Sequence, residues 1–187
     1  TPVYAAVRYG HMEVLRWLVE HGAMVNLNNI PAGVDICVIP VIEAAEKNDL
    51  EMLAYLVEAG ADLNVCSRDS HSPVGIAALR GDLKMTRWLL DHGADVNYYE
   101  YGYGESYCPV YLATWVDSFE VVELLIEHGA DINTPQTNGW KTPVYAAANR
   151  GFVDIVRLLL KHGGNVNAPA ADGQTPICFA AFRNHLN

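Results

Sequence analysis

Charged residues and long apolar runs are both scarce in this sequence. Charged residues make up 18% of the 187 residues and hydrophobic residues 51%, a composition too apolar for a disordered tail. No uninterrupted apolar run exceeds seven residues, so a membrane-spanning helix is excluded. The opening residues 1–4 lack the basic start and the apolar stretch of a signal peptide. We therefore expect a soluble protein of the cytoplasm, with the nucleus as the alternative compartment.

Basic residues and paired cysteines are also few. Twelve Lys and Arg against 22 Asp and Glu give a net charge of −10, which repels nucleic acid and anionic membranes. The four cysteines (Cys37, Cys66, Cys108 and Cys178) form no CxxC pair, so they indicate scattered, buried thiols rather than a disulfide framework or a zinc site. We expect a monomer with no metal, no cofactor, no nucleic acid partner and no membrane insertion.

Internal repetition determines the predicted architecture. Prolines recur at positions 2, 40, 73, 109, 143 and 176, and a glycine follows each of the first five by twenty residues. All variation in repeat length lies between that glycine and the next proline. A shortest period of 33 residues, with insertions confined to one segment, is typical of a stacked-repeat protein.

Each repeat predicts two short helices. A capping hydroxyl precedes the proline in four units: Thr1, Ser72, Thr142 and Thr175. A residue type that tolerates a left-handed backbone stands eight residues after every proline and ends the first helix: Gly10, Asn48, Gly81, Asp117, Gly151 and Asn184. The second helix has an apolar stripe and ends at a glycine, which a histidine precedes in four units: His21, His92, His128 and His162. We interpret these histidines as C-terminal caps.

Two motifs carry a family resemblance. Residues 142–148 (Thr-Pro-Val-Tyr-Ala-Ala-Ala) and 162–167 (His-Gly-Gly-Asn-Val-Asn) are similar to the TPLHxAA and GADVN patterns of the ankyrin repeat, and the resemblance covers the whole chain. It implies an all-α solenoid of helix-turn-helix units with projecting β-hairpin-like loops, whose concave face binds protein. We place units at about 1–38, 39–71, 72–107, 108–141 and 142–174, with a partial unit at 175–187, and expect a fragment of a longer array.

The sequence departs from the motif, and it lacks catalytic signatures. The motif's histidine is replaced in every unit, by Tyr4, Ile42, Gly75, Tyr111, Tyr145 and Cys178. We expect slightly weaker capping as a result, by at most about 1 kcal/mol per lost hydrogen bond. A lone GxG at residues 102–104 lacks the setting of a nucleotide site, and Cys108 takes the place of a capping threonine. We therefore predict that the protein is not an enzyme.

Two insertions are candidates for recognition. The third loop, residues 97–108, holds five of the ten tyrosines: Tyr98, Tyr99, Tyr101, Tyr103 and Tyr107. Tyrosine offers a large contact area at low entropic cost, so this loop predicts partner binding, with packing between loops as the alternative. The first insertion, residues 27–39, is rich in aliphatic residues. We favour packing onto its own stack over an exposed apolar contact site.

Basic and aromatic residues precede the predicted ends of the first helices. The basic ones are Arg8, Lys47, Arg80, Arg150 and Arg183, and the aromatic candidates are Tyr9 and Trp115, with Trp140 on the fourth loop. On the concave face they predict a locally positive stripe that binds an acidic or C-terminal peptide. The alternative is a set of ordinary solvated side chains.

The resemblance implies one modification. Some ankyrin domains are hydroxylated at the turn asparagine by an intracellular hydroxylase that favours a leucine eight residues upstream. All five turn asparagines fit this pattern, although the same residues have a structural role in the repeat: Asn26, Asn64, Asn97, Asn133 and Asn167. The sequence as a whole predicts a non-enzymatic scaffold that binds a partner protein or peptide. The alternative function is a passive spacer in a larger protein.

Overall fold

The computed structural model describes residues 1–26, 39–67, 69–99, 107–136, 139 and 141–178. Ten helices of seven to nine residues have both ends within these ranges. They are α1 Pro2–Arg8, α2 Met12–Glu20, α3 Pro40–Glu46, α4 Leu50–Glu58, α5 Pro73–Leu79, α6 Leu83–Asp91, α7 Pro109–Trp115, α8 Phe119–Glu127, α9 Pro143–Arg150 and α10 Val153–Lys161. Residues 176–178 begin a further helical turn. None of the described helices is long and apolar enough to cross a membrane.

The first helix of each unit starts at the predicted proline. The hydroxyls of Thr1, Ser72 and Thr142 accept the backbone N–H three residues further on, at 3.1, 3.1 and 3.3 Å. These bonds satisfy one of the N–H groups that a helix start leaves without a partner in the helix. Thr175 differs from the prediction, because its hydroxyl donates to the Cys178 sulfur at 3.3 Å.

The five predicted stops within the described residues have the predicted left-handed backbone, and the sixth, Asn184, lies outside them. Asn48 and Asp117, which are not glycines, have φ angles of 57° and 59°, in the left-handed region where Asn and Asp are tolerated better than most residues. The predicted histidine caps are also confirmed at three positions. The Nδ1 atoms of His21, His92 and His128 lie 2.8, 2.7 and 2.9 Å from the carbonyl oxygens four residues earlier.

The helices form two layers. The first helices α1, α3, α5, α7 and α9 contact one another in that order, and each packs on the second helix of its own unit. Fully buried alanines such as Ala45, Ala78 and Ala147 allow the first helices to approach closely. Leucines from the second helices fill the space between the layers, among them Leu56 and Leu125. The all-α repeat solenoid predicted from the sequence is confirmed.

Backbone hydrogen bonds close three of the loops between units. The N–H groups of Ser67, Gln136 and Ala170 donate to the carbonyls of His71, Lys141 and Gln174, at 2.9, 3.1 and 2.8 Å. These hairpin-like turns contain no β-strand within the described ranges. They project beside the first helices and bring loop side chains to that side of the stack.

Candidate functional site

The first-helix face is the surface formed by the outward side chains of α1, α3, α5, α7 and α9 and the adjoining loops. Five of the predicted site residues lie exposed on it in the described ranges: Arg8, Lys47, Arg80, Trp115 and Arg150. Tyr9 is also exposed, at 69%, directly after α1. The predicted residues Tyr101, Tyr103, Trp140 and Arg183, and the insertion at 27–38, lie outside the described residues.

Two of the predicted cations are bound within the array itself. The Arg80 guanidinium donates to the backbone carbonyl of Ala45 at 3.3 Å and to that of Glu46, at the C-terminal end of α3. Cationic donors at this position complement the partial negative charge of the helix end. Arg8 donates to the Tyr4 hydroxyl at 2.9 Å, and that hydroxyl donates to Glu43 at 2.9 Å. The predicted stripe is therefore not a row of equivalent free cations.

Tyr4 connects the first two units. Burial raises the pKa of its hydroxyl, and the hydrogen bond to the Glu43 carboxylate raises this pKa further. The hydroxyl therefore remains protonated and keeps donating to Glu43 at neutral pH. Contacts of this kind indicate that this end of the first-helix face has a structural role.

The junction of the third and fourth units presents a different arrangement, in which three aromatic rings form a stack. The Tyr107 and Tyr111 ring centroids are 5.3 Å apart, and those of Tyr111 and Trp115 are 6.2 Å apart, with planes within 15° of parallel. We call these three rings the aromatic stack. Tyr111 and Trp115 lie four residues apart on α7, so their rings share one face of the helix, and Tyr107 precedes the helix and stacks on Tyr111. Trp115 keeps 40% of its surface exposed.

Arg150 covers the end of the aromatic stack from the next unit. Its guanidinium carbon lies 3.9 Å from the centroid of the Trp115 ring, a close cation–π contact. A cation–π contact does not use the N–H groups of the guanidinium as hydrogen-bond donors. Among the described residues no carbonyl or carboxylate accepts from Arg150.

The described end residues of the third loop are partly buried. Tyr98 and Tyr99 are half-buried, and Tyr99, like Tyr107, packs against the hydrophobic core. Tyr107 also begins the aromatic stack. Partner binding by this loop, and its alternative of packing between loops, both remain predictions.

A cavity of about 270 Å³ opens beside the aromatic stack. Leu79 of α5, Leu112 of α7 and the three rings of the stack line it, together with His71 and Lys141 from the loops. Sequence reasoning did not single out Leu112 or Lys141. Their shared location depends on the packing of α5 against α7, which a single sequence does not display. The four-residue spacing of the aromatic residues at positions 107, 111 and 115 is the sequence signal that could have identified Tyr111.

Gln136 is a further residue that sequence reasoning missed. It is fully buried, accepts the Cys108 backbone N–H at 2.7 Å and donates to the Thr134 carbonyl at 2.9 Å and to the Cys108 sulfur at 3.2 Å. Cys108 itself makes no capping bond with its side chain. Gln136 therefore satisfies the backbone N–H of the N-cap residue Cys108 from the following loop. This group differs from the Tyr111 N–H that a capping threonine would bind and that here donates to the Cys108 carbonyl at 3.0 Å.

The turn asparagines join neighbouring units. Asn97 accepts the Asp131 backbone N–H at 2.8 Å and donates to the Gly129 carbonyl at 3.2 Å. Asn26 and Asn133 bridge their next units in the same two ways, and Asn64 accepts the Asp95 N–H. These hydrogen bonds define the structural role of the turn asparagines. Their hydroxylation remains a prediction.

The thiols differ in environment. Cys66 and Cys108 are buried as predicted, whereas Cys178 is exposed, which corrects the expectation of buried thiols at that position. Burial raises the pKa of the Cys108 thiol to about 11, so it is protonated at neutral pH and a poor nucleophile. Within the described ranges no group of three His, Cys, Asp or Glu residues is placed to hold a metal ion.

Comparison with known proteins identifies the repeats along most of the chain. A family model described as ankyrin repeats (three copies) matches residues 41–136 and again residues 133–187. A model described as ankyrin repeat matches residues 1–30. No curated protein gives a significant match to the sequence.

Proposed function

The chain belongs to the ankyrin-repeat family, and from this premise we propose that its first-helix face binds a partner protein through Trp115 and Arg150. Ankyrin repeats generally mediate protein–protein interaction. The exposed Trp115 ring with Arg150 stacked on it is the observation that carries the proposal. Trp, Tyr and Arg are the residue types most enriched at the energetic centres of interfaces.

The proposal includes an acidic segment in the partner. The N–H donors of Arg150 match the geometry of a carboxylate, which binds a guanidinium through two parallel hydrogen bonds. Lys141 lies in the adjoining loop and adds a second cation near the same rings. The overall charge of −10 makes this basic location a local exception, so it would orient an acidic partner as it approaches.

The test is capture of a partner by matched variants from lysate of the native source. One variant, Trp115→Ala with Arg150→Glu, alters the first-helix face. The control, Trp17→Ala with Arg157→Glu, alters the same residue types on second helices, where Trp17 is 58% exposed. Urea unfolding of both variants checks that they fold like the parent.

Loss of a hot-spot tryptophan costs about 2 kcal/mol or more, so we expect at least roughly 30-fold weaker partner binding by the first variant and unchanged binding by the control. Equal retention by both variants would contradict the proposed face. If the parent captures no partner, the result would favour the alternative function, a passive spacer within a larger protein.

A further inference from the structure

The cavity beside the aromatic stack has the size and the walls for an aromatic side chain. It measures about 270 Å³, and its apolar walls are formed by Leu79, Leu112 and the rings of Tyr107, Tyr111 and Trp115. An apolar cavity of about 150 Å³ is large enough to bind benzene, so an indole or phenol ring fits here.

The rim of the cavity carries a positive charge. Its two titratable nitrogen groups among the described residues belong to His71 and Lys141. Burial lowers the pKa of His71, so this ring is neutral at pH 7. Lys141 lies 5.8 Å from the centroid of the Tyr145 ring, and no carboxylate of the described residues pairs with it. The ammonium is therefore available to a carboxylate that arrives with the aromatic ring.

The charges on the two sides of the cavity differ in how far they are balanced. On the α3 side, the Glu43 and Glu46 carboxylates lie among cations of the first units. Burial raises the pKa of Glu46 and Glu43 raises it further, whereas Arg80 lowers it. Lys141 and Arg150 lie toward α9, and no carboxylate of the described residues pairs with them. Acidic residues of a bound segment therefore gain most attraction toward α9.

We propose that this cavity binds an aromatic side chain of an extended partner segment, whose adjacent acidic residues pair with Lys141 and Arg150. The inference rests on the proposed function and names the chemistry that the first-helix face recognises. Aromatic anchors in well-packed, desolvated pockets are typical of the energetic centres of interfaces. The aromatic ring provides the affinity, and the two cations select the acidic flanks.

A short synthetic peptide tests the inference directly. The probe is acetyl-Asp-Asp-Trp-Asp-Asp-amide with 5-fluorotryptophan at its centre, and ¹⁹F NMR follows it without interference from the tryptophans of the protein. We expect saturable binding to the parent chain, displaced by the unlabelled peptide. Peptides with Ala in place of Trp, or with Lys in place of Asp, should displace the probe at least roughly tenfold less well. Equal displacement by either peptide would overturn the inference.

Variants and protein signals locate the bound ring. Leu79→Trp fills the cavity and should abolish binding, whereas Lys141→Glu should weaken it roughly fivefold and shift the preference toward the Lys-containing peptide. Because Leu79→Trp can disturb packing, the methyl resonances of Leu79 and Leu112 in the parent provide a second readout. They should shift on addition of the peptide, while those of Leu158 on α10 stay fixed. Shifts confined to Leu158 would overturn the inference.

The outcomes separate this inference from the proposed function. If the peptide does not bind while Trp115→Ala with Arg150→Glu still loses the captured partner, the first-helix face binds protein by another chemistry and the cavity proposal is wrong. If that variant retains the partner, the proposed function itself fails. Displacement by free indole-3-propionate as strong as by the peptide would show a site for a small aromatic acid and contradict the peptide assignment.

Discussion

Replacing Gln136 by leucine tests how the fourth unit is held to the loop that follows it. The substitution keeps a side chain of similar size, so little cavity forms, but it removes all three hydrogen bonds of the amide. The Cys108 backbone N–H loses its acceptor in a place where the residue is only 2% exposed. An unsatisfied buried donor costs about 1–3 kcal/mol.

The Thr134 carbonyl contributes less, because Thr134 is half-buried and water can replace the lost donor. The Cys108 sulfur is a weak acceptor and adds little. We therefore expect Gln136→Leu to lower the free energy of unfolding by about 2–4 kcal/mol. Urea unfolding followed by far-ultraviolet circular dichroism measures this change. The control is Gln174→Leu, whose exposed side chain should change stability by no more than about 0.5 kcal/mol.

A carboxyl at position 136 gives the result a pH signature. In Gln136→Glu the ionised side chain can still accept from Cys108, but it faces the Thr134 carbonyl without a proton to donate. Burial and this carbonyl would raise its pKa in the folded state. Because the pKa of this carboxyl would be higher in the folded state, its contribution to stability is fully present below the unfolded-state pKa of about 4.3. The contribution is lost as the pH rises through the folded-state pKa. Gln136→Glu should thus gain stability relative to the parent on acidification. Equal stability of parent and Gln136→Leu would refute the assigned role of the amide.

Three further predictions follow from single contacts. Gly164→Ala should lower the free energy of unfolding in urea by about 1–3 kcal/mol, because the new Cβ would lie 2.7 Å from Val144 Cγ2. We expect this cost even though four other units have alanine at the same position. An unchanged urea midpoint would contradict the prediction. Asn97→Ala should cost about 1 kcal/mol in the same assay through loss of its two bridging bonds, and no loss would show that the bridge is dispensable. Iodoacetamide mapped by mass spectrometry should modify exposed Cys178 before Cys108, whose pKa is raised to about 11; the reverse order would contradict the assigned burial.

The fold was predictable because it depends on local and periodic signals. The proline, glycine and asparagine registers are visible in the sequence, and the left-handed residues Asn48 and Asp117 follow from the same register. The histidine caps are also local, since each ring reaches a carbonyl four residues earlier. Short-range geometry of this kind is shared by every unit, so one pattern determines many positions.

The candidate site was predictable only in part, because its chemistry depends on contacts between units. Arg80 and Arg150 occupy the same position in their repeats, yet one donates to the carbonyls of α3 and the other stacks on Trp115. The difference arises from the neighbour about 35 residues away along the chain, which is Ala45 in one case and Trp115 in the other. Gln136 acts across 28 residues for the same reason. A repeat register does not specify such pairings.

Hydroxyl-radical footprinting of the chain with and without its captured partner tests the central claim most directly. The method compares the oxidation of Trp115 on the first-helix face with that of Trp17 on α2, which are 40% and 58% exposed. Binding through the aromatic stack should protect Trp115 strongly and leave the oxidation of Trp17 unchanged. Protection of Trp17 alone, with Trp115 oxidised as in the free chain, would contradict the assigned binding face.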